Sequence, residues 1–156
     1  MEYAVQSWNP YFVKDIECLE RVQKYATRLV PELVDLNYEE RLDLLNMYSL
    51  KERHLRGDLI ETYKFLTGKY NSYPDKFFKL SDISSTRGHS LKLYKPTLKK
   101  GLLLRKIFFS IRIVNVWNGL PERVVSAQTV DPFKKKLDHH WNVTKRHGTE
   151  EALPKP

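Results

Sequence analysis

Apolar residues that recur at three- and four-residue spacing between strong stop signals constrain this chain more than any motif does. From Lys14 to Val30, the residues Ile16, Leu19, Val22, Ala26, Leu29 and Val30 follow that spacing, Lys14, Glu17, Arg21, Lys24 and Arg28 fall on other faces, and Pro31 ends the run. The period returns at Leu55, Leu59, Ile60, Tyr63 and Leu66 before Gly68, and at Phe109, Arg112, Ile113, Val116 and Trp117 before Gly119 and Pro121. A last stripe, Val130, Phe133, Leu137 and Trp141, follows a cap at Ser126 or Thr129. Asn37 and Glu40 have the spacing of a capping box for a short helix reaching about Met47, and Ser49 with Glu52 repeats it. Glu2 to Trp8 carries no cap of its own and is expected to be the tail of a longer helix, stopped at Asn9-Pro10.

The expected fold is therefore mainly α, a helical bundle, with one small β-hairpin in the second half. His89 to Lys95 alternates, with Leu91 and Leu93 on one side and Ser90, Lys92 and Tyr94 on the other, and Leu102 to Arg105 is its expected partner across Pro96 to Gly101. A two-stranded ribbon is marginal alone, so it should lie on the helices. Phe77 and Phe78 are both expected to point inward, and Gly57, inside a helix, implies close packing there. His54, Arg56, Asp58 and Glu61 are expected to form surface pairs of little energetic weight. One domain over 1–142 and a disordered tail over 143–156 complete the organisation.

Composition sets the class. With 41% hydrophobic and 29% charged residues the chain is globular, and its 156 residues bury a core without disulfides or metals. Cys18 is the single cysteine, no apolar run spans a bilayer, and the first residues lack the order of a signal peptide, so an intracellular location, nuclear or cytoplasmic, and no membrane partner are expected. Asn142-Val-Thr144 matches a glycosylation sequon by coincidence on this reading.

Charge supplies the functional clue. The formal net charge of +8 is uneven: residues 1–80 hold 12 Lys/Arg against 13 Asp/Glu, residues 81–156 hold 15 against 6. Between Asp82 and Glu122 there is no carboxylate, yet eight cations stand there, Arg87, Lys92, Lys95, Lys99, Lys100, Arg105, Lys106 and Arg112, interleaved with Tyr94, Phe108, Phe109 and Trp117. Cations neutralise phosphates and aromatic faces accept stacked bases, so this mixture suits nucleic acid. The candidate contacts are those eight cations, His89 at the turn, and Tyr94 as the stacking ring; Phe108, Phe109 and Trp117 lie at helical spacing and are assigned to the core. Arg21, Lys24 and Arg28 also lie a turn apart within reach of a phosphate backbone, and Lys134, Lys135 and Lys136 are read as a solvated face.

The sequence offers no catalytic constellation and no cofactor. Its six glycines are isolated, so no phosphate-binding loop exists. His139, His140 and His147 lack partners at metal-ligand spacing, His89-Ser90 has no aspartate or nucleophile turn, and paired aspartates of a two-metal site are missing.

The succession WNPYFVKDIECLERVQKYATRLVPEL (8–33), YEERLDLLNMYSLKERHLRGDLIETYKFLTG (38–68), TRGHSLKLYKP (86–96), RKIFFSIRIVNVWNGLPERVVSA (105–127) and FKKKLDHHW (133–141) resembles the C-terminal, thumb and post-thumb region of non-LTR (LINE-type, jockey-like) retrotransposon reverse transcriptases. The resemblance covers nearly the whole chain to Trp141. It implies work on element RNA, target DNA or an RNA:DNA hybrid during target-primed reverse transcription, beside the upstream polymerase part. In that family the catalytic aspartates lie upstream, in the palm, so no catalytic residue carries over. The alternative is a helical protein-interaction module, or an inactive relic of a transposable element, with an apolar patch near Tyr3, Val5, Trp8 and Phe12 that drives self-association.

Overall fold

The computed structural model describes residues 2–70, 77–81, 88–97 and 108–146. These are mainly helical and contain no strand. The helices are α1 (Val5–Trp8), α2 (Val13–Arg28), α3 (Tyr38–Leu44), α4 (Leu50–Leu66), α5 (Phe109–Arg112), α6 (Val114–Asn118), α7 (Glu122–Val125) and α8 (Val130–Arg146), with a 3-10 turn at Pro31–Leu33. The chain divides into two compact units, Met1–Gly57 and Asp58–Pro156, and α4 runs through the division.

In the first unit, capping chemistry sets the helix ends. Asn37 Oδ1 accepts from the Glu40 amide at 2.9 Å while Glu40 Oε2 accepts from the Asn37 amide at 2.9 Å. Ser49 and Glu52 repeat the exchange before α4. The α3 helix stops at Asn46, which takes the left-handed conformation (φ 50°) while Met47 N–H donates to Leu42 O at 2.8 Å, a Schellman closure. The short α1 begins at Ala4, also left-handed at φ 50°, and not as the tail of a longer helix.

The α2 helix forms where its period predicts but turns a different face inward. Gln23 and Thr27 are its buried residues, whereas Val22, Ala26 and Leu29 are exposed. Polar bonds explain the choice. Gln23 Nε2 donates to Tyr48 O (3.0 Å) and Tyr38 Oη (3.1 Å), and its Oε1 accepts from Arg53 (3.0 Å). The buried Arg41 donates to Thr27 Oγ1 (3.2 Å) and Leu36 O (2.6 Å). Glu20 accepts the Tyr38 hydroxyl and the Leu50 amide (3.2 Å), so a side chain of α2 satisfies the open N-terminus of α4. Val5, Leu33, Leu42 and Leu50 supply the apolar core of this unit. His54 is buried, not a surface residue: Nδ1 sits 2.9 Å from Asn9 Oδ1 and its ring meets Trp8 edge-on at 5.3 Å.

The second unit is built around aromatic rings. Tyr63 of α4 stacks on Phe133 of α8 at 4.3 Å between centroids, its hydroxyl donates to Ala127 O, and Trp117 lies 6.1 Å from Phe133. Leu59, Ile113, Val114, Val124 and Leu137 of the same unit are fully buried. The run 108–118 folds as two short helices meeting at Ile113 instead of one, with Phe109 inside and Phe108 outside. Only Phe78 of the pair 77–78 is buried. The last helix continues to Arg146, past the end expected at Asn142, and residues 147–156 of the expected tail lie outside the described residues.

Two glycines, one inside α4 and one just past its end, should respond oppositely to a methyl group. A Cβ at Gly57 would meet Val5 Cγ1 at 3.6 Å, an ordinary contact and not the close packing expected, so Gly57→Ala gains helix propensity, up to about 1 kcal/mol. Gly68 sits at φ 68° in the Schellman closure, with Lys69 N–H on Lys64 O at 3.0 Å, so Gly68→Ala should cost roughly 1 kcal/mol. Urea melts of the two variants beside wild type check both signs.

Candidate nucleic-acid interface

Of the basic stretch, residues 88–97 and 108–121 are described, and in 88–95 the backbone partners determine which side chains face outward. Leu93 is buried and forms an antiparallel bridge with Leu80: Tyr94 N–H donates to Lys79 O (2.7 Å) and Ser81 N–H to Lys92 O (2.8 Å). On its opposite edge, Leu93 N–H donates to Asn118 Oδ1 (2.8 Å) while Asn118 Nδ2 donates back to Leu93 O (2.9 Å). The Asn118 amide thus replaces the peptide group of a neighbouring strand. Trp117 adds a second tie, its indole N–H donating to Leu91 O at 2.8 Å. Among the described residues the partner seen for 89–95 is Leu80, and the expected partner Leu102–Arg105 lies outside the described residues.

With Leu93 turned in, Lys92 and Tyr94 are turned to the other side of the extended segment. Tyr94 is 50% exposed, with the Lys79 ammonium 5.6 Å from its ring centroid. Lys95 is exposed and reaches Asn115 Oδ1 at 3.0 Å. The Lys92 chain folds over Gly88, whose φ of 129° favours glycine whatever the space beside it. Lys79 joins this ledge from before the basic run; the period-two step that pairs Leu80 with Leu93 was its only signal, and it needs the partner strand to be known.

Two of the expected contact residues have other employment. His89 is buried, its Nε2 2.9 Å from Trp117 O and its ring edge-on to Trp117 at 5.8 Å, so it anchors the turn from inside and offers nothing to a phosphate. Because the carbonyl accepts, Nε2 donates there, and the buried Nδ1 has no hydrogen-bond partner among the described residues. Arg112 grips Asp58 with Nε on Oδ2 (3.0 Å) and Nη2 on Oδ1 (3.1 Å), a forked geometry. Arg87, Lys99, Lys100, Arg105 and Lys106 lie outside the described residues. A carboxylate also borders the ledge: Glu122 accepts from Ser90 N–H (2.8 Å) and Ser90 Oγ (3.3 Å).

Among the described residues no group of three His, Cys, Asp or Glu could hold a metal, and no helix is long and apolar enough to cross a membrane. The Asp58–Arg112 pair is a structural device whose balance is decided by burial. Asp58 is 1% exposed and the Arg112 side chain 18%; desolvation pushes the Asp58 carboxyl up to about 6 although Arg112 pulls it down. A carboxyl held higher in the folded state than its ordinary 3.8 favours folding most below 3.8, and that contribution is lost as pH rises through about 6. Relative to Asp58→Asn, which does not titrate, wild type should lose stability between about pH 4 and pH 7, by at most roughly 3 kcal/mol. Chemical denaturation at both pH values, followed by tryptophan emission, measures the difference; a constant gap between the two proteins would exclude the titration.

No family model, curated protein or solved structure matches this chain.

Proposed function

We propose that this chain is a nucleic-acid-binding, thumb and post-thumb part of a non-LTR retrotransposon RNA-directed DNA polymerase. Its contact ledge is Lys79, Lys92, Tyr94 and Lys95. The observation that carries the reading is Tyr94: a half-exposed ring whose backbone is held by its bond to Lys79, with the Lys79 ammonium beside the ring and Lys92 and Lys95 flanking it in a stretch of sequence free of carboxylates. Such a ring offers one face for stacking at little cost in ordering, because its backbone is already held. The cations neutralise phosphates on either side of the stacked base. Arg87, Lys99, Lys100, Arg105 and Lys106 belong to the same stretch of sequence and extend its charge. The sequence resemblance supplies the substrate class, element RNA, target DNA or their hybrid, and the absence of paired aspartates assigns the chain to binding rather than phosphoryl transfer.

Fluorescence-anisotropy titrations against single-stranded RNA, duplex DNA and an RNA:DNA hybrid over a salt series test this. Binding should weaken steeply with salt, and the triple variant Lys79→Glu, Lys92→Glu, Lys95→Glu should lose about tenfold or more and flatten the salt slope by roughly 2 to 3. Tyr94→Ala should cost about 1–3 kcal/mol on single strands and less on duplex. Binding that ignores salt, or that the triple variant leaves intact, overturns the reading.

A further inference from the structure

The inverted face of α2 leaves a continuous apolar stripe uncovered. Cys18, Val22, Tyr25 and Leu29 recur at four- and three-residue steps, and all are exposed, Val22 51%, Tyr25 67% and Leu29 65%. Ala26 lies beside them and is exposed too. One border of this stripe belongs to the buried side of the helix, where Gln23 and Thr27 point inward. Along the other border run Lys14, Arg21 and Arg28, each two turns from the next, all exposed and with no ion pair among the described residues.

We propose that this stripe is a docking site for an amphipathic helical segment of another protein whose apolar face is bordered by aspartates or glutamates. Charge decides the occupant. A second copy of α2 laid antiparallel would set Lys14, Arg21 and Arg28 against their own counterparts, and laid parallel would set them against Leu19 and Ala26, so self-pairing gains no complementary charge. A carboxylate-bordered helix pairs all three. Of the residues of the stripe Tyr25 alone has a ring for a base, and Cys18, Val22 and Leu29 gain by burial against apolar side chains instead. The site lies in the first unit and is independent of the Tyr94 ledge.

The probe is a 16-residue helical peptide, matched to the 16 residues of α2, with a leucine stripe bordered by glutamates, beside the same peptide bordered by lysines. Calorimetric titration of the full chain should show the glutamate peptide binding about tenfold tighter or more than the lysine peptide. Val22→Asp with Leu29→Asp should abolish binding of both, and Arg21→Glu with Arg28→Glu should reverse the preference; these positions are exposed, and circular dichroism confirms the fold of each variant. Equal binding of the two peptides, binding of neither, or a chain that sediments as a dimer dissociated by Leu29→Asp overturns the proposal. So does vesicle or RNA binding that the same two aspartates remove.

Discussion

The paired hydrogen bonds between the Asn118 amide and Leu93 organise what the second unit can present to a partner. An extended segment with Leu93 in the core must find partners for its backbone on both edges, and an unpaired buried amide costs about 1–3 kcal/mol. One edge is satisfied by Lys79 and Ser81, the other by a side chain. That solution is joined by Trp117, fully buried beside Asn118 in the chain, which ties Leu91 with its indole N–H. The outward direction of Tyr94 is a consequence of bonds made on the inside.

The same accounting governs the charged groups. Asp58 and Arg112 are placed by desolvation and a forked hydrogen bond, and the guanidinium that sequence composition would add to a basic surface is consumed in pairing a buried carboxylate. His89 is likewise withdrawn by the carbonyl of Trp117. Among the described cations of the run, Lys92 and Lys95 remain for the ledge, and it gains Lys79, which composition alone places elsewhere.

Periodicity and caps were legible in the sequence to the extent that local chemistry decides them. The Asn37–Glu40 box, the Gly68 closure, and the stripe of Phe133, Leu137 and Trp141 depend on residues within a few positions of one another, and they stand where the spacing puts them. What was not legible depends on partners far along the chain. His54 and Asp58 look like surface residues until Asn9 and Arg112 are known, and Phe108 and Phe77 look like core until their neighbours Phe109 and Phe78 take the inward places. That an asparagine side chain serves as one edge of residues 89–95 is likewise announced by no sequence rule.

The face that α2 turns inward is the case in which magnitudes explain the failure of pattern. Burying Val22, Tyr25 and Leu29 would gain roughly 1.5–3 kcal/mol each. Turning the helix to do so would remove Gln23 from Tyr48, Tyr38 and Arg53, Thr27 from Arg41, and Glu20 from Tyr38 and Leu50. At about 1 kcal/mol for a neutral bond and 1.5–3 kcal/mol where a charged group takes part, those bonds are worth as much as the apolar area. Two orientations of similar free energy cannot be separated by counting apolar residues. The polar one prevails here because Glu20 also satisfies the start of α4, a need that belongs to another helix and is invisible in the period of this one. An apolar stripe left outside for that reason is a surface whose cost is offset only when something covers it.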